Sequence, residues 1–289
     1  MILTFGSINV DLIVPVPYLP QPGETILGGN YVLLPGGKGA NQALAARRAG
    51  SEVVLAGAVG RDSFAEIALD LLRRGGVDLR LVRVVERQPT GCAAIMVSDA
   101  GENAIAVAPG ANASVLADQV PDKLLDANTV LVAQMVVPLA ETEAFIRRVR
   151  MRGGRCLLNT APALQFDPGL LPEIDLLIAN EREAATLGLD LPEFGRRLRQ
   201  ALVVTRGARG ASVFLRDATS LEVPARGVEP VDTTGAGDAF TGVLAASIDE
   251  GLPLAAALRR ASAAGALACL ARGAQSALPE RATIDRALT

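Results

Sequence analysis

Residues 130–159 read VLVAQMVVPLAETEAFIRRVRMRGGRCLLN, and this stretch decides the fold class. It opens with a short β-branched run, Val130–Gln134, which is typical of a buried strand. Residues 140–152 then place apolar side chains three or four positions apart, which predicts an amphipathic helix that ends at Gly153-Gly154. A second strand follows at Arg155–Asn159. The stretch is therefore a β-α-β unit, the building block of a parallel sheet.

The same alternation extends over most of the chain. Further strands are predicted at residues 2–8, 53–58, 176–179, 201–205 and 211–215. Further helices are predicted at residues 38–49, 63–74 and 254–271, and the first two end at glycines. This pattern predicts an α/β fold with a mostly parallel central sheet flanked by helices, in one domain over residues 1–289.

Two segments interrupt this rhythm. Residues 10–35 contain five prolines, and residues 90–107 (TGCAAIMVSDAGENAIAV) predict a hairpin that turns at residues 99–103. One interpretation makes them edge strands of the main sheet. The other makes them a small second sheet, a lid that excludes water from a reacting phosphoryl group.

Composition excludes several function classes. The chain has no histidine, so a Ser-His-Asp hydrolase and a His-ligated metal site are excluded. A net charge of −3, 3% aromatic residues and no tryptophan argue against nucleic-acid binding. Cys92, Cys156 and Cys269 form no CxxC pair, and no apolar run reaches the ~18 residues that span a membrane. We therefore expect a cytoplasmic protein without membrane or nucleic-acid partners.

The most informative motif is VDTTGAGDAF at residues 231–240. A strand-like approach over residues 221–230 leads into a predicted helix, so the N–H groups of Gly235, Ala236 and Gly237 have no intrahelical acceptor and can hold an anion. Asp238 follows in the first helical turn. An aspartate there stabilises any helix, but in phosphoryl transfer it can also orient the attacking hydroxyl.

A second motif is PGGKGANQ at residues 35–42, where a glycine turn opens a helix. It is neither a Walker A loop nor a dinucleotide fingerprint. Lys38 and Asn41 lie at the helix start, and Asn9 and Asp11 lie just past the first strand. Carboxylate and amide groups at the carboxyl ends of strands suit vicinal sugar hydroxyls.

Two further stretches suit a nucleotide. Residues 180–183 (NERE) follow a strand and offer carboxylates for magnesium-bound water, although helix capping also explains them. Residues 205–210 (TRGARG) lie between two strands and suit an adenosine phosphate or ribose, although a tight turn also explains them.

With GGKGANQA at 36–43 and DTTGAGDAF at 232–240, the chain resembles the ribokinase family of phosphofructokinase-B type sugar kinases. Further short motifs occur in the family's order. They are GSINVDL at 6–12, PGET at 22–25, TG, GEN and GAN within 90–112, NEREA at 180–184 and RGAQ at 272–275. The resemblance covers essentially the whole chain. It implies the three-layer ribokinase-like fold, a β lid that forms a homodimer clasp, and transfer of the ATP γ-phosphoryl group to the primary hydroxyl of a sugar.

The resemblance also assigns roles to individual residues. Asp238 is the expected base, with Gly235, Ala236 and Gly237 as the anion hole. The expected sugar site consists of Asn9, Val10, Asp11, Gly37, Lys38, Gly39, Ala40, Asn41 and Asp238. The expected ATP site, with Mg²⁺ or another divalent cation, consists of Asn180, Glu183, Thr205, Arg206, Gly207, Ala208, Arg209, Gly210, Gly237 and Ser262. The expected K⁺ loop uses Asp232 and Thr234 with backbone carbonyls near Ala268, Ala271 and Gly273.

The sequence departs from the family at two positions. Val136 stands two residues after Gln134, where the family has a glutamate that binds the sugar, and Ala277 stands where a serine is usual in the cation loop. The resemblance predicts phosphorylation of the 5-hydroxyl of D-ribose. Because Val136 cannot hydrogen-bond a hydroxyl, another pentose, a ketohexose or a nucleoside is the alternative acceptor. A non-catalytic sugar or nucleotide sensor is the third hypothesis.

Overall fold

The computed structural model describes residues 1–188 and 190–288, and its centre is a nine-stranded, mostly parallel sheet. At one edge β12 is antiparallel to both of its neighbours, β11 and β13, whereas every other neighbouring pair is parallel. In spatial order the strands are β13 (Ser220–Val223), β12 (Ala211–Leu215), β11 (Ala201–Thr205), β10 (Leu176–Asn180), β9 (Arg155–Asn159), β8 (Val130–Gln134), β1 (Ile2–Phe5), β4 (Val53–Gly60) and β5 (Asp78–Val85).

Helices cover both faces of this sheet because its strands bury side chains on both sides. In β1, Ile2 faces one hydrophobic core and Leu3 and Phe5 face the other. The first core is formed with α1, α2, α6 and α7, and the second with α3 and several short 3₁₀ turns. The helices are α1 (Lys38–Arg48), α2 (Ser63–Arg74), α3 (Leu139–Met151), α4 (Glu181–Thr186), α5 (Leu191–Arg197), α6 (Ala236–Asp249), α7 (Leu254–Ala268) and α8 (Arg281–Arg286).

The expected strands and helices are present, with some differences at their ends. Strand β1 ends at Phe5 rather than at residue 8; the Gly6 N–H still donates to the Ala56 carbonyl of β4, and Asn9 already belongs to the second sheet. Of the expected approach at 221–230, only residues 221–223 are strand, as the end of β13, and Pro224 and Pro230 follow. Helix α7 ends at Ala268 rather than 271, because the Cys269 carbonyl accepts hydrogen bonds from the N–H groups of Val231 and Asp232. Edge strand β5 was not predicted.

The two segments outside the β-α rhythm form a separate four-stranded sheet rather than edge strands of the main one. Its order is β3 (Val32–Gly36), β2 (Asn9–Val16), β6 (Gly91–Ser98) and β7 (Asn103–Ala108). The hairpin between β6 and β7 turns where expected, with Gly101 in the left-handed region at φ 81°. Strand β2 begins shortly after the carboxyl end of β1, and β3 leads directly to the start of α1, so this sheet borders the carboxyl ends of the main strands.

Candidate active site

Helix α6 begins at a tight turn that requires glycine. Gly235 is its N-cap residue, with a left-handed φ of 79°, and a Cβ there would lie 2.9 Å from the Ala274 Cα atom. Within the described residues, the N–H groups of Gly235 and Gly237 have no backbone acceptor, whereas the Ala236 N–H donates to the Thr233 carbonyl at 3.3 Å. This start of α6 therefore offers free donors to an anion.

Asp238 lies in the first turn of α6 and is 6% exposed. Its Oδ2 accepts a hydrogen bond from Asn41 Nδ2 at 2.8 Å, and its Oδ1 accepts one from Gln42 Nε2 at 2.9 Å. Both bonds come from α1, so the carboxylate is held across the site rather than used to cap its own helix. A purely helix-stabilising aspartate would face solvent at the helix end.

Gln42 belongs to a buried chain of amides that sequence reasoning missed. Its Oε1 accepts a hydrogen bond from Gln134 Nε2 at 2.7 Å, and its Nε2 also donates to Asn159 Oδ1 at 3.1 Å. Asn159 Nδ2 in turn donates to the Ile178 carbonyl at 3.1 Å. Gln134 and Asn159 are the last residues of β8 and β9. Amides that end adjacent parallel strands were the available indication, since ligands bind at that edge.

Helix α1 starts directly against the end of β1. The Ala40 N–H donates to the Ser7 carbonyl at 3.0 Å, and a Cβ on Gly39 would lie 2.6 Å from the Gly6 carbonyl carbon. Gly37, the N-cap residue, has a φ of 93°. This close approach fixes the first turn of α1, which carries Lys38, Asn41 and Gln42, relative to the sheet.

Asn9 and Asp11 lie on β2, opposite Gly36 and Leu34 of β3. Asn112 holds Asn9 in place, because its Nδ2 donates to Asn9 Oδ1 at 2.7 Å. Burial of Asp11, together with the negative charge of Asp238, raises the pKa of its carboxyl from 3.8 to about 6, against the opposing effect of Lys38. Polar groups of β2 and of α1 thus face the same region as Asp238.

A cavity of about 220 Å³ opens beside Asp238. Among the expected site residues, Lys38, Asn180, Glu183, Thr205, Gly235, Gly237 and Asp238 line it, together with Asn159, Ala161, Ile178, Thr233 and Thr241. Burial raises the pKa of the Glu183 carboxyl, with hydrogen bonding to the Asn180 N–H as the largest opposing effect. The cavity therefore combines free N–H donors, one lysine and two carboxylates, a set that suits a phosphoryl group and a cation.

A second cavity, of about 290 Å³, shares Thr205, Thr233 and Gly237 with the first. Most of its wall is apolar or glycine, which suits a flat heterocycle. Further expected residues in it are Gly207, Ala208, Gly210, Ala236 and Ser262, and residues that the sequence did not indicate are Ala225, Arg226, Gly227, Val228, Pro230, Phe240, Gly265, Ala266 and Cys269. Gly237 lies where the two cavities meet.

Several expected residues have other surroundings. Arg209 pairs with Glu181 at 2.5 Å and Arg206 with Glu222 at 3.5 Å, so neither side chain lines the two cavities. Val10 and Ala40 are fully buried in the first hydrophobic core. Only the backbones of Val10 and Ala40 are available to a ligand.

The expected cation loop is brought together around Asp232. Its Oδ1 accepts from the Thr234 N–H and its Oδ2 from the Gly273 N–H, each at 2.9 Å. Burial raises the pKa of Asp232, but these hydrogen bonds outweigh it and hold that pKa below its usual range. Ala268 ends α7, and Ala271 lies in the turn between it and Gly273. The carboxylate thus ties the segment before α6 to the segment after α7.

The arrangement can hold a nucleotide with its terminal phosphate at the start of α6, with a carboxylate ready to receive a hydroxyl proton. The family model for pfkB family carbohydrate kinases matches residues 1–281. The chain is 34% identical to the ribokinase of Haemophilus influenzae, over 96% of this chain and 94% of that protein.

Two solved structures are also similar. The structure of Arabidopsis thaliana ribokinase complexed with ribose and ATP has a TM-score of 0.90 at 27% identity, covering 99% of this chain and 98% of that one. The nucleoside kinase of Burkholderia thailandensis in complex with inosine has a TM-score of 0.86 at 27% identity, covering 99% of this chain and 95% of that one. Relatives with this fold therefore act on free sugars and on nucleosides.

Proposed function

From the premise that the chain belongs to the pfkB family of carbohydrate kinases, and is therefore a phosphotransferase with an alcohol as acceptor, we propose that it acts as an ATP-dependent ribokinase that phosphorylates the 5-hydroxyl of D-ribose. The observation that carries this is the placement of Asp238. Its buried carboxylate lines the same cavity as the free N–H group of Gly237, where that cavity meets the apolar one.

The residues of this chain divide the chemical work. ATP occupies the apolar cavity with its base between the 207–210 turn and α7, and its γ-phosphoryl group lies at the start of α6. The N–H groups of Gly235 and Gly237 stabilise the negative charge that develops on the transferring phosphoryl group. The Ala236 N–H also contributes, because it can share its hydrogen between the Thr233 carbonyl and a phosphoryl oxygen. Asp238 orients the attacking hydroxyl and receives its proton.

The sugar is held by the polar groups around the start of α1. Asn9 and Asp11 approach from β2, and Lys38 and Asn41 from α1, so that vicinal hydroxyls meet both donors and acceptors. Gly37 and Gly39 allow the sugar and the sheet to approach the backbone closely. The Asn41 side chain also contacts Asp238, which couples sugar binding to the base.

The residues present fit two cations. Within residues 1–188 and 190–288, no three Cys, Asp or Glu side chains form a metal cluster, so Mg²⁺ would take its ligands from phosphates and water, with Glu183 nearby. Asp232 and Thr234, with carbonyls near Ala268, Ala271 and Gly273, would hold K⁺. When bound, the divalent cation neutralises phosphate charge, and K⁺ adds positive charge beside the anion hole.

The four-stranded sheet supports a lid and a homodimer. Its strand β2 carries the sugar residues Asn9 and Asp11, and closure of the sheet over the sugar would exclude water from the phosphoryl group. Tyr31, Val32, Ile105 and Val107 are at least half exposed on it, an apolar surface that pairing with a second copy would bury. The free Cys92, Cys156 and Cys269 fit a cytoplasmic location. No helix in residues 1–188 or 190–288 is long and apolar enough to cross a membrane.

One observation favours a second acceptor. Val136 is half-buried and follows Gln134 at the end of β8, so it offers an apolar surface where the family pattern has a carboxylate. A nucleoside, another pentose or a ketohexose is therefore the second candidate for the same site.

A panel of sugars and nucleosides tests both candidates. Formation of ADP from ATP is measured for D-ribose, 2-deoxyribose, fructose, adenosine and inosine at matched concentrations. We expect the highest kcat/KM for D-ribose. A nucleoside preferred by more than about tenfold would favour the second candidate, since a polar site discriminates by more than that. No turnover with any acceptor would favour the sensor hypothesis.

A further inference from the structure

We propose that Gln42 is a positioning residue for Asp238, and that Gln134 fixes the orientation in which Gln42 works. Neither residue belongs to the sugar, ATP or cation sites assigned above. The inference rests on the proposed function only for the reaction that Asp238 serves, because the contacts themselves are features of the fold.

The hydrogen bonds give the chain of amides one direction. Gln134 Nε2 donates to Gln42 Oε1 at 2.7 Å, and this leaves Gln42 Nε2 to face Asp238 Oδ1 at 2.9 Å. A reversed Gln42 amide would place its oxygen against the carboxylate and its NH₂ group against that of Gln134. Both contacts would be repulsive. Asn159, whose Nδ2 donates to the Ile178 carbonyl, also presents its Oδ1 to Gln42 Nε2, so Gln134 and Asn159 together hold Gln42 with a donor towards the base.

Gln134 is not explained by packing alone. Its Oε1 is fully buried and has no hydrogen-bond partner among the described residues. A Cβ at position 6 would lie 1.9 Å from that oxygen and 2.9 Å from the Gly39 Cα, so glycine there leaves room for both the amide and the start of α1. Burying an unpaired acceptor is unfavourable, and a methionine would fill the same space without that cost. The amide is retained for its NH₂ group, which contacts Gln42.

The chain of amides also connects the helices and strands whose relative positions must be kept during phosphoryl transfer. Gln42 is on α1, Gln134 and Asn159 end β8 and β9, and Asp238 is on α6. Helix α1 carries sugar residues, whereas α6 carries the anion hole. Asn41 and Gln42 of α1 each hold one oxygen of Asp238, and of these two contacts only the one from Gln42 comes from outside the proposed sugar site.

Gln42→Met is the principal test, because methionine matches the volume of glutamine and cannot hydrogen-bond an amide or a carboxylate. We expect kcat with the best acceptor of the panel to fall about 10- to 100-fold, since small misplacements of reacting groups have effects of this size. The KM values for sugar and ATP should stay within about threefold, because Gln42 contacts neither ligand. Gln134→Met should lower kcat by a smaller factor.

Gln119→Met is the matched control. Gln119 also makes three hydrogen bonds, one from the Leu116 N–H and two to the carbonyls of Gly57 and Leu81, but none reaches Asp238. Its kcat should stay within about twofold of the wild type, as expected for a site outside the reaction. If Gln42→Met loses no more kcat than this control, or if its loss is entirely in KM, the proposal is wrong.

A double-mutant cycle separates positioning from general structural damage. Single-turnover rates are compared for Asp238→Asn with and without Gln42→Met. If Gln42 acts through Asp238, adding the second change should lower the rate by less than about twofold, because residues that act as a unit are not additive. A further loss equal to that in the wild-type background would contradict the proposal.

A thermal cycle tests the same contact without any substrate. Gln42→Met removes one charge-assisted and two neutral hydrogen bonds in the wild type, but only the two neutral ones in Asp238→Ala. Because charge-assisted bonds are about twice as strong, the fall in Tm should be about half as large in the Asp238→Ala background. Equal shifts would refute the contact, whereas absence of wild-type turnover would refute only the proposed function.

Discussion

The turn before α6 allows its catalytic and structural requirements to be separated by two glycine substitutions. Gly235→Ala introduces a side chain at φ 79°, and its Cβ would lie 2.9 Å from the Ala274 Cα and 3.0 Å from the Ala274 oxygen. Gly251→Ala introduces the same side chain at the same φ of 79°, beyond the other end of α6, with no atom within 4 Å. Only the first substitution must displace a neighbouring loop.

Both substitutions incur the cost of the left-handed conformation, about 1–2 kcal/mol. With an unfolding entropy of about 2.1 cal/mol/K per residue, 289 residues convert this into a fall in Tm of about 2–3 °C. Gly251→Ala should show this fall alone. Gly235→Ala should show a larger one, since the loop at Ala274 must shift by some tenths of an ångström to relieve the contact.

The kinetic difference should be larger than the difference in stability. Displacement at Gly235 moves the N–H groups that are proposed to hold the transferring phosphoryl group, and loss of one such donor costs about 10²- to 10³-fold in kcat. Initial rates of ADP formation and thermal unfolding are measured for both variants. If Gly235→Ala keeps kcat within about threefold of Gly251→Ala, phosphoryl transfer does not depend on the start of α6.

Three further predictions concern the sugar and cation sites. Because the pKa of Asp11 is raised, the folded state binds more protons than the unfolded state between pH 4 and 6. The contribution of this group to stability is therefore present below pH 3.8 and is lost as pH rises through about 6. The Tm of Asp11→Asn should accordingly rise relative to that of the wild type from pH 4 to pH 7.5, and a constant difference in Tm would contradict this prediction. Val136→Glu should raise the kcat/KM ratio of D-ribose over inosine about tenfold, because a carboxylate discriminates hydroxyls better than an apolar group; an unchanged ratio would place Val136 outside the acceptor site. Replacing K⁺ by tetramethylammonium should lower kcat of the wild type but not of Asp232→Asn, and equal responses would remove Asp232 from the cation site.

Sequence patterns predicted the fold wherever local periodicity and burial agree. Strands β8, β9, β11 and β12 lie at the predicted residues, because each is a short, largely apolar run with polar residues or glycine on at least one side. Edge strand β5 was missed because it is only half-buried and mixes arginine with leucine and valine.

The part of the candidate site that lies in one contiguous motif was predictable from the sequence. The part formed by residues far apart in the chain was not. Asp238 and the glycines before it are adjacent in sequence, and helix-start chemistry indicates what they do. Gln42 meets Asn159 and Gln134 across 117 and 92 residues, and no local pattern encodes such a contact. The family resemblance assigned the whole segment 205–210 to the ATP site, but the Arg209 side chain forms a surface ion pair instead.

The most direct test of the central claim is the product and rate obtained from D-ribose and ATP with the wild type and with Asp238→Asn. Phosphorus NMR should show one ribose 5-phosphate for each ADP with the wild type. The Asp238→Asn variant should fold and lose about 10²- to 10⁴-fold in kcat, the usual contribution of a general base. Phosphate on another hydroxyl, no phosphorylated ribose, or a variant within about threefold of the wild type would contradict the claim.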